Sequence, residues 1–198
     1  MSPQEQQELL IQWLKDVRQG PGYFCVGAPA KWHQYYFKTD DELLKLIEKY
    51  RATNSIYVSM ATYLEESKGR TQGGASGLRS FWMDLDCHGD GKYNTAEEAA
   101  ADVIDFIERL YYPYPSYIQY TGYGIQVFWA IDQKMENYKW ELNAQKIKAT
   151  AELYGLDLDG EVTTDSARVL RIPFTKNFRD PKNPVDTELV SEGGSWDE

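Results

Sequence analysis

The chain has 198 residues, 42% hydrophobic and 14% aromatic, with a formal net charge of −10. That length supports one domain with a substantial core, and the charge argues against bulk binding of duplex nucleic acid, which needs a basic surface. Two cysteines, Cys25 and Cys87, are too few for a disulfide framework or a four-ligand zinc module; no apolar run reaches membrane-spanning length and the N-terminus is not a signal peptide, so a reducing cytoplasm is expected and no membrane.

Leu9, Leu10, Trp13, Leu14 and Val17 recur at helical spacing, which predicts a helix over residues 4–18 stopped by Gly20-Pro21-Gly22. Tyr23 to Val26 reads as a strand. Thr39-Asp40-Asp41-Glu42 is a capping signal ahead of Leu43, Leu44, Leu46 and Ile47, giving a second helix to about residue 51. Ser55 to Tyr63 alternates and is β-rich, a strand; Glu65 to Gly77 is a polar, Gly-rich loop. The apolar run Ser80-Phe81-Trp82-Met83 reads as a buried strand ending in Asp84-Leu85-Asp86. Thr95-Ala96-Glu97-Glu98 is a capping box for a helix through Leu110, and Tyr112-Pro113-Tyr114-Pro115 breaks the chain. Ser116 to Tyr120 and Ile125 to Ile131 read as strands around Thr121-Gly122-Tyr123-Gly124. A helix follows from about Met135 to Tyr154, then a short strand, Val169 to Ile172, stopped by Pro173. Glu188 to Glu198 is acidic and reads as a frayed tail or linker. The order of elements argues α+β with a largely antiparallel sheet.

Asp84 and Asp86 carry the strongest chemical signal. Residues i and i+2 of a strand project to one face, so the two carboxylates stand together while Met83 and Leu85 pack behind them. Such a pair repels itself unless a cation sits between its members, and it is suited to holding a divalent metal for phosphate chemistry. The bland alternative is a strand end with two solvated acids. A calcium loop competes locally, because Asp86, His88, Asp90, Gly91, Asn94 and Glu97 have its spacing; the preceding strand and the His at its third place count against it.

Two further stretches suit phosphate. Thr121-Gly122-Tyr123-Gly124-Ile125-Gln126 is either an ordinary hairpin turn or a close backbone approach to a phosphate, with Gln126 projecting from the next strand. Asp159 precedes Arg168 and Arg171, which are either salt-bridge partners of local acids or a guanidinium pair for phosphate oxygens beside a third metal carboxylate. Arg168, Arg171, Lys176, Arg179 and Lys182 form a local positive island against Asp180 alone.

In this order and spacing the three stretches resemble the archaeo-eukaryotic primase superfamily, the primase-polymerases, over roughly residues 20–182, with a texture similar to phage- and plasmid-type members. The family's acid-x-acid pair is matched by Asp84 and Asp86, its glycine hairpin by Thr121, Gly122 and Gly124, and its third motif by Asp159, Arg168, Arg171 and Pro173. Two positions depart from the pattern: Gln126 replaces the second motif's usual His, and Phe174 stands where phage-type members usually show Gly.

The resemblance implies an RRM-like catalytic core with a mixed or antiparallel sheet flanked by helices. That core spans residues 1–187, with an N-terminal αβ unit at about 1–78 and a metal-binding part at about 79–187. The implied activity is template-directed nucleotidyl transfer from NTP or dNTP on single-stranded DNA. Asp84, Asp86 and Asp159 would hold two Mg²⁺ or Mn²⁺ ions. Thr121, Gly122, Gly124, Gln126, Arg168, Arg171 and Lys176 would bind the nucleotide. A helicase or primer-binding helical domain commonly accompanies such a domain. The alternatives are a metal-dependent nuclease and a weakened replication or origin-binding module.

Overall fold

A computed structural model describes residues 1–27, 31–87 and 91–191. His88 and Asp90 of the calcium-loop reading, and residues 192–198 of the expected tail, lie outside the described residues.

The first half opens with α1 (Pro3–Val17), β1 (Gly22–Val26), β2 (His33–Phe37), α2 (Asp40–Tyr50) and β3 (Ile56–Ser59). After two short 3-10 turns come β4 (Leu78–Asp86), α3 (Ala96–Leu110), β5 (Tyr117–Tyr120), β6 (Gly124–Met135) and α4 (Asn137–Tyr154). The chain closes with α5 (Gly160–Thr164), β7 (Val169–Arg171), β8 (Lys176–Asn177), β9 (Val185–Asp186) and β10 (Glu188–Ser191). The caps read from the sequence are in place. The hydroxyls of Thr39 and Thr95 accept the backbone N–H of Glu42 and Glu98, and the structure adds a capping box of Ser2 and Glu5 on α1 that the sequence reading did not include.

Among the described residues the strands form two four-stranded antiparallel sheets. Their orders are β2-β1-β3-β7 and β10-β5-β6-β4, with β8 and β9 as a separate two-stranded ribbon. The division expected near residue 78 does not separate them. β7, from the second half of the chain, pairs with β3 in the first sheet. In exchange, α1 packs on the second: Trp13 meets Phe128 edge to face at 5.5 Å, and the Ser80 hydroxyl donates to the Val17 carbonyl at 2.8 Å. One apolar core therefore runs through both sheets. Arg18 fastens α1 to the first sheet. Its guanidinium is buried 4.7 Å over the Phe37 ring, pairs with Asp40 at 3.3 Å and donates to the Gly20 carbonyl.

Glu188 to Ser191, expected in a tail, is instead edge strand β10 on β5. Leu189 inserts into the core there at 2% exposure, which offsets the acidic composition around it. Among the described residues no helix is long and apolar enough to cross a membrane.

At the far end of the second sheet, Gly124 lies opposite Asp86. A Cβ there would stand 2.2 Å from the Leu85 carbonyl oxygen and 3.1 Å from the Asp86 Cα, so the β4–β6 ladder closes only around a glycine. Gly124→Ala is expected to cost about 1–3 kcal/mol. Gly73→Ala, with nothing within 4 Å of its Cβ, serves as the control. Thermal melts decide, and equal melting temperatures for the two variants would mean that the ladder yields without cost.

Candidate active site

Asp84 and Asp86 end β4 on the face that also carries Trp82, while Met83 and Leu85 are buried on the other. The Trp82 indole N–H donates to the Val162 carbonyl of α5 at 2.8 Å, and the Asp159 backbone N–H donates to the Asp84 carbonyl at 2.8 Å. These bonds set the start of α5 against the carboxylate pair. Asp84 is half-buried and Asp86 exposed. Burial pushes the Asp84 carboxyl up to about 7, with repulsion from Asp86 and then Asp159 adding to it; a hydrogen bond from Gln126 and the charge of Arg168 act in the opposite direction.

The three expected metal carboxylates are therefore close enough to feel one another, but they are not assembled as a ligand set. Asp159 caps α5, its Oδ1 accepting the backbone N–H groups of Glu161 and Val162 at 3.0 Å each. Among the described residues no three Asp, Glu, His or Cys side chains converge as a metal site. The donor chemistry at Asp84 and Asp86 fits a hard divalent cation, since both supply oxygen and their mutual repulsion is what such an ion relieves. Asp159 keeps Oδ2 outside its cap.

A cleft of about 400 Å³ opens over the pair and is also lined by Thr121, Gln126, Arg168 and Arg171. Arg171 arrives from the first sheet and is only 9% exposed. Its Nη2 donates to the Tyr57 hydroxyl at 2.9 Å, and its guanidinium lies 4.7 Å over the Tyr57 ring. Its Nη1 is buried without a partner. Burial lowers its pKa, partly offset by Tyr57 and Asp84. A buried guanidinium with an unmet donor, facing a cleft, is suited to an anion.

The hairpin is held by the Thr121 hydroxyl, which donates to the Gly124 carbonyl at 3.0 Å, and by Gly122 in the left-handed region at φ +87°. Gly122 packs toward Val185 and is not part of the cleft wall. Gln126 is buried at 7% exposure beside Asp84. Lys176, expected on the nucleotide, is directed elsewhere: its ammonium pairs with Asp186 at 2.7 Å across the β8–β9 ribbon, outside the cleft wall.

Conversely, the wall includes Trp32 and Tyr57, which no motif picked out. Tyr57 carries a weak signal, being the half-buried aromatic of an otherwise buried strand. Asn177 and Arg179 also line the wall, and the Asn177 amide donates to the Thr121 carbonyl at 2.8 Å, tying the ribbon to the hairpin.

The raised Asp84 pKa has a testable sign. A carboxyl that holds its proton more tightly when folded carries no penalty below its unfolded value near 3.9; the penalty grows with pH and is complete above the folded value. Asp84→Asn should therefore stabilise the cation-free protein, by about 2 kcal/mol at pH 8, with the gain shrinking toward pH 4. Melts of both proteins in a chelator across that range test it, and a gain independent of pH would refute the account.

No protein-family model matches the chain, and no curated protein matches it in sequence. Solved structures do. The primase-polymerase domain of cyanophage S-2L superposes with a TM-score of 0.65 at 15% identity, over 96% of this chain and 93% of that one. The catalytic domain of primase RepB′, in complex with initiator DNA, gives 0.60 at 14% identity over 95% and 86% of the two chains. The polymerase domain of Mycobacterium tuberculosis ligase D, in complex with DNA, gives 0.57 at 11% over 92% and 77%. The mixed α+β architecture, antiparallel sheets flanked by helices, is the fold of these domains.

Proposed function

We propose that this chain is a primase-polymerase domain of the archaeo-eukaryotic primase superfamily that transfers nucleotides from NTP or dNTP to a 3′-hydroxyl on a single-stranded DNA template. The observation that carries the reading is one cleft with an Asp84/Asp86 pair on one sheet and the unmet guanidinium donor of buried Arg171 on the other. The fold shared with primase and polymerase domains supports it.

Asp84 and Asp86, joined by Asp159 through Oδ2, would hold Mg²⁺ or Mn²⁺. When bound, the ions would supply a lowered pKa at the attacking hydroxyl and charge neutralisation at the departing pyrophosphate. Arg168 and Arg171 hold the triphosphate and orient it toward the carboxylates, with the Thr121 hydroxyl and hairpin backbone beside it. Lys176 has no part while it is paired with Asp186. The charge of −10 keeps the chain's own affinity for DNA low and salt-dependent.

The test is incubation with single-stranded DNA, labelled NTPs or dNTPs and Mg²⁺ or Mn²⁺, with and without a primer. Metal-dependent incorporation is expected. Shortening of the DNA without incorporation, in a protein that binds no nucleotide, would replace the reading with a nuclease.

A further inference from the structure

The line of side chains that holds Asp84 continues across the second sheet. Asp84 on β4 lies opposite Gln126 on β6, and Gln126 lies opposite Gln119 on β5. Directly opposed residues of antiparallel strands share a face, with Cβ atoms about 5 Å apart. The three side chains therefore stand in one row, with the two amides behind the carboxylate. Both side chains are buried, Gln119 at 0% and Gln126 at 7% exposure. Burying an amide without partners is unfavourable, and an apolar residue would fill the place of Gln119 without that cost. Yet Gln119 Oε1, Gln119 Nε2 and Gln126 Oε1 have no partner in the structure. The remaining amide group, Gln126 Nε2, is the donor available toward the opposed Asp84, whose charged form the Gln126 side chain favours.

Those four groups are complementary in order. Gln119 Nε2 is a donor next to the acceptor Gln126 Oε1, and Gln126 Nε2 is a donor next to the Asp84 carboxylate. The terminal torsion of the Gln119 amide is broad and soft, so Gln119 Nε2 can turn to Gln126 Oε1 while Gln126 Nε2 stays toward Asp84. We propose that Gln119 and Gln126 form a buried amide relay that orients the Asp84 carboxylate for its cation. Gln119 holds Gln126 Oε1, and the amide so fixed keeps its N–H on one Asp84 oxygen, leaving the other for the ion. Gln126 is then a positioning residue acting on a metal ligand, in place of the contact to a triphosphate oxygen expected from the hairpin. The inference rests on the reading of Asp84 as a cation ligand.

Gln119→Met separates this from a merely structural role. Methionine matches the shape of glutamine and removes both unpartnered atoms, so a structural role predicts an equal or higher melting temperature and unaltered cation binding. The relay predicts an equal or lower melting temperature, because Gln126 Oε1 loses its donor, with Mn²⁺ affinity reduced about tenfold, as for other groups that support a metal ligand from behind. It further predicts a fall in kcat with nucleotide KM unchanged, and no additional loss when Gln119→Met is added to Gln126→Met. Mn²⁺ binding is read by calorimetry on the full chain without nucleotide. Wild-type protein that binds Mn²⁺ and a Gln119→Met variant that binds it equally well would overturn the relay alone. Wild-type protein that binds no Mn²⁺ would overturn the cation site and the relay together. If Gln119→Met fails to fold, Gln119→Leu takes its place with the same readings.

Discussion

Asp84→Asn or Asp86→Asn should reduce nucleotide incorporation by on the order of 10³-fold while the protein remains folded. Asparagine keeps the size of each side chain and most of its packing. What it removes is the negative charge proposed to hold a cation at the end of β4. The Met83 and Leu85 side chains that fix the strand are untouched, being on its opposite face. The two variants should also differ from each other. Asp84 is half-buried and its charge is costly, so its replacement should raise the melting temperature of the cation-free protein; Asp86 is exposed and its replacement should move it less. Primer extension with Mg²⁺ and with Mn²⁺, alongside melts, checks both halves. Incorporation by both variants at the wild-type rate would remove the pair from the chemistry.

Arg171→Met should weaken nucleotide binding by roughly 10- to 150-fold, the loss of a charged contact of about 1.5–3 kcal/mol. The same change should leave stability equal or improved. Arg171 is 9% exposed and its guanidinium has a buried donor without a partner, while a methionine could lie along the Tyr57 ring without that penalty. A gain in stability with a loss in affinity is the signature of a group held for its ligand. Arg171→Lys keeps the charge but not the fork or the stacking on Tyr57, so it should recover only part of the binding. Nucleotide titrations decide, and unchanged affinity in Arg171→Met would exclude this side chain from the triphosphate.

The carboxylate pair was legible because its logic is local: two acids on one face of a strand whose other face is apolar. The helices were legible for the same reason, their caps and apolar stripes being written within one or two turns. Partners distant in the chain were not. Lys176 reads as a free cation in a basic island, and only the β8–β9 ribbon shows that Asp186 occupies it. Asp159 reads equally well as a ligand and as a helix cap, since both use an oxygen acceptor. The cap interpretation depends on a five-residue helix too short to show periodicity. β2 was missed because His33, Gln34 and Tyr35 are exposed at one edge of the sheet and show no alternation. β10 was hidden by the acids around Leu189, whose burial depends on β5, nearly seventy positions earlier in the sequence. The row from Asp84 through Gln126 to Gln119 exists only in the pairing of three strands.

β7 belongs to the sheet that holds neither aspartate of the pair, and this changes what a bound triphosphate does mechanically. In the proposed complex, with phosphates on Arg171 and ions on Asp84 and Asp86, the nucleotide would span from one sheet to the other and become a tie between them. Sliding of the sheets past each other would then be resisted by the substrate itself. Amide hydrogens along the β3–β7 pair and along the β4–β6 pair should lose their independence, exchanging more slowly and together once the tie is in place.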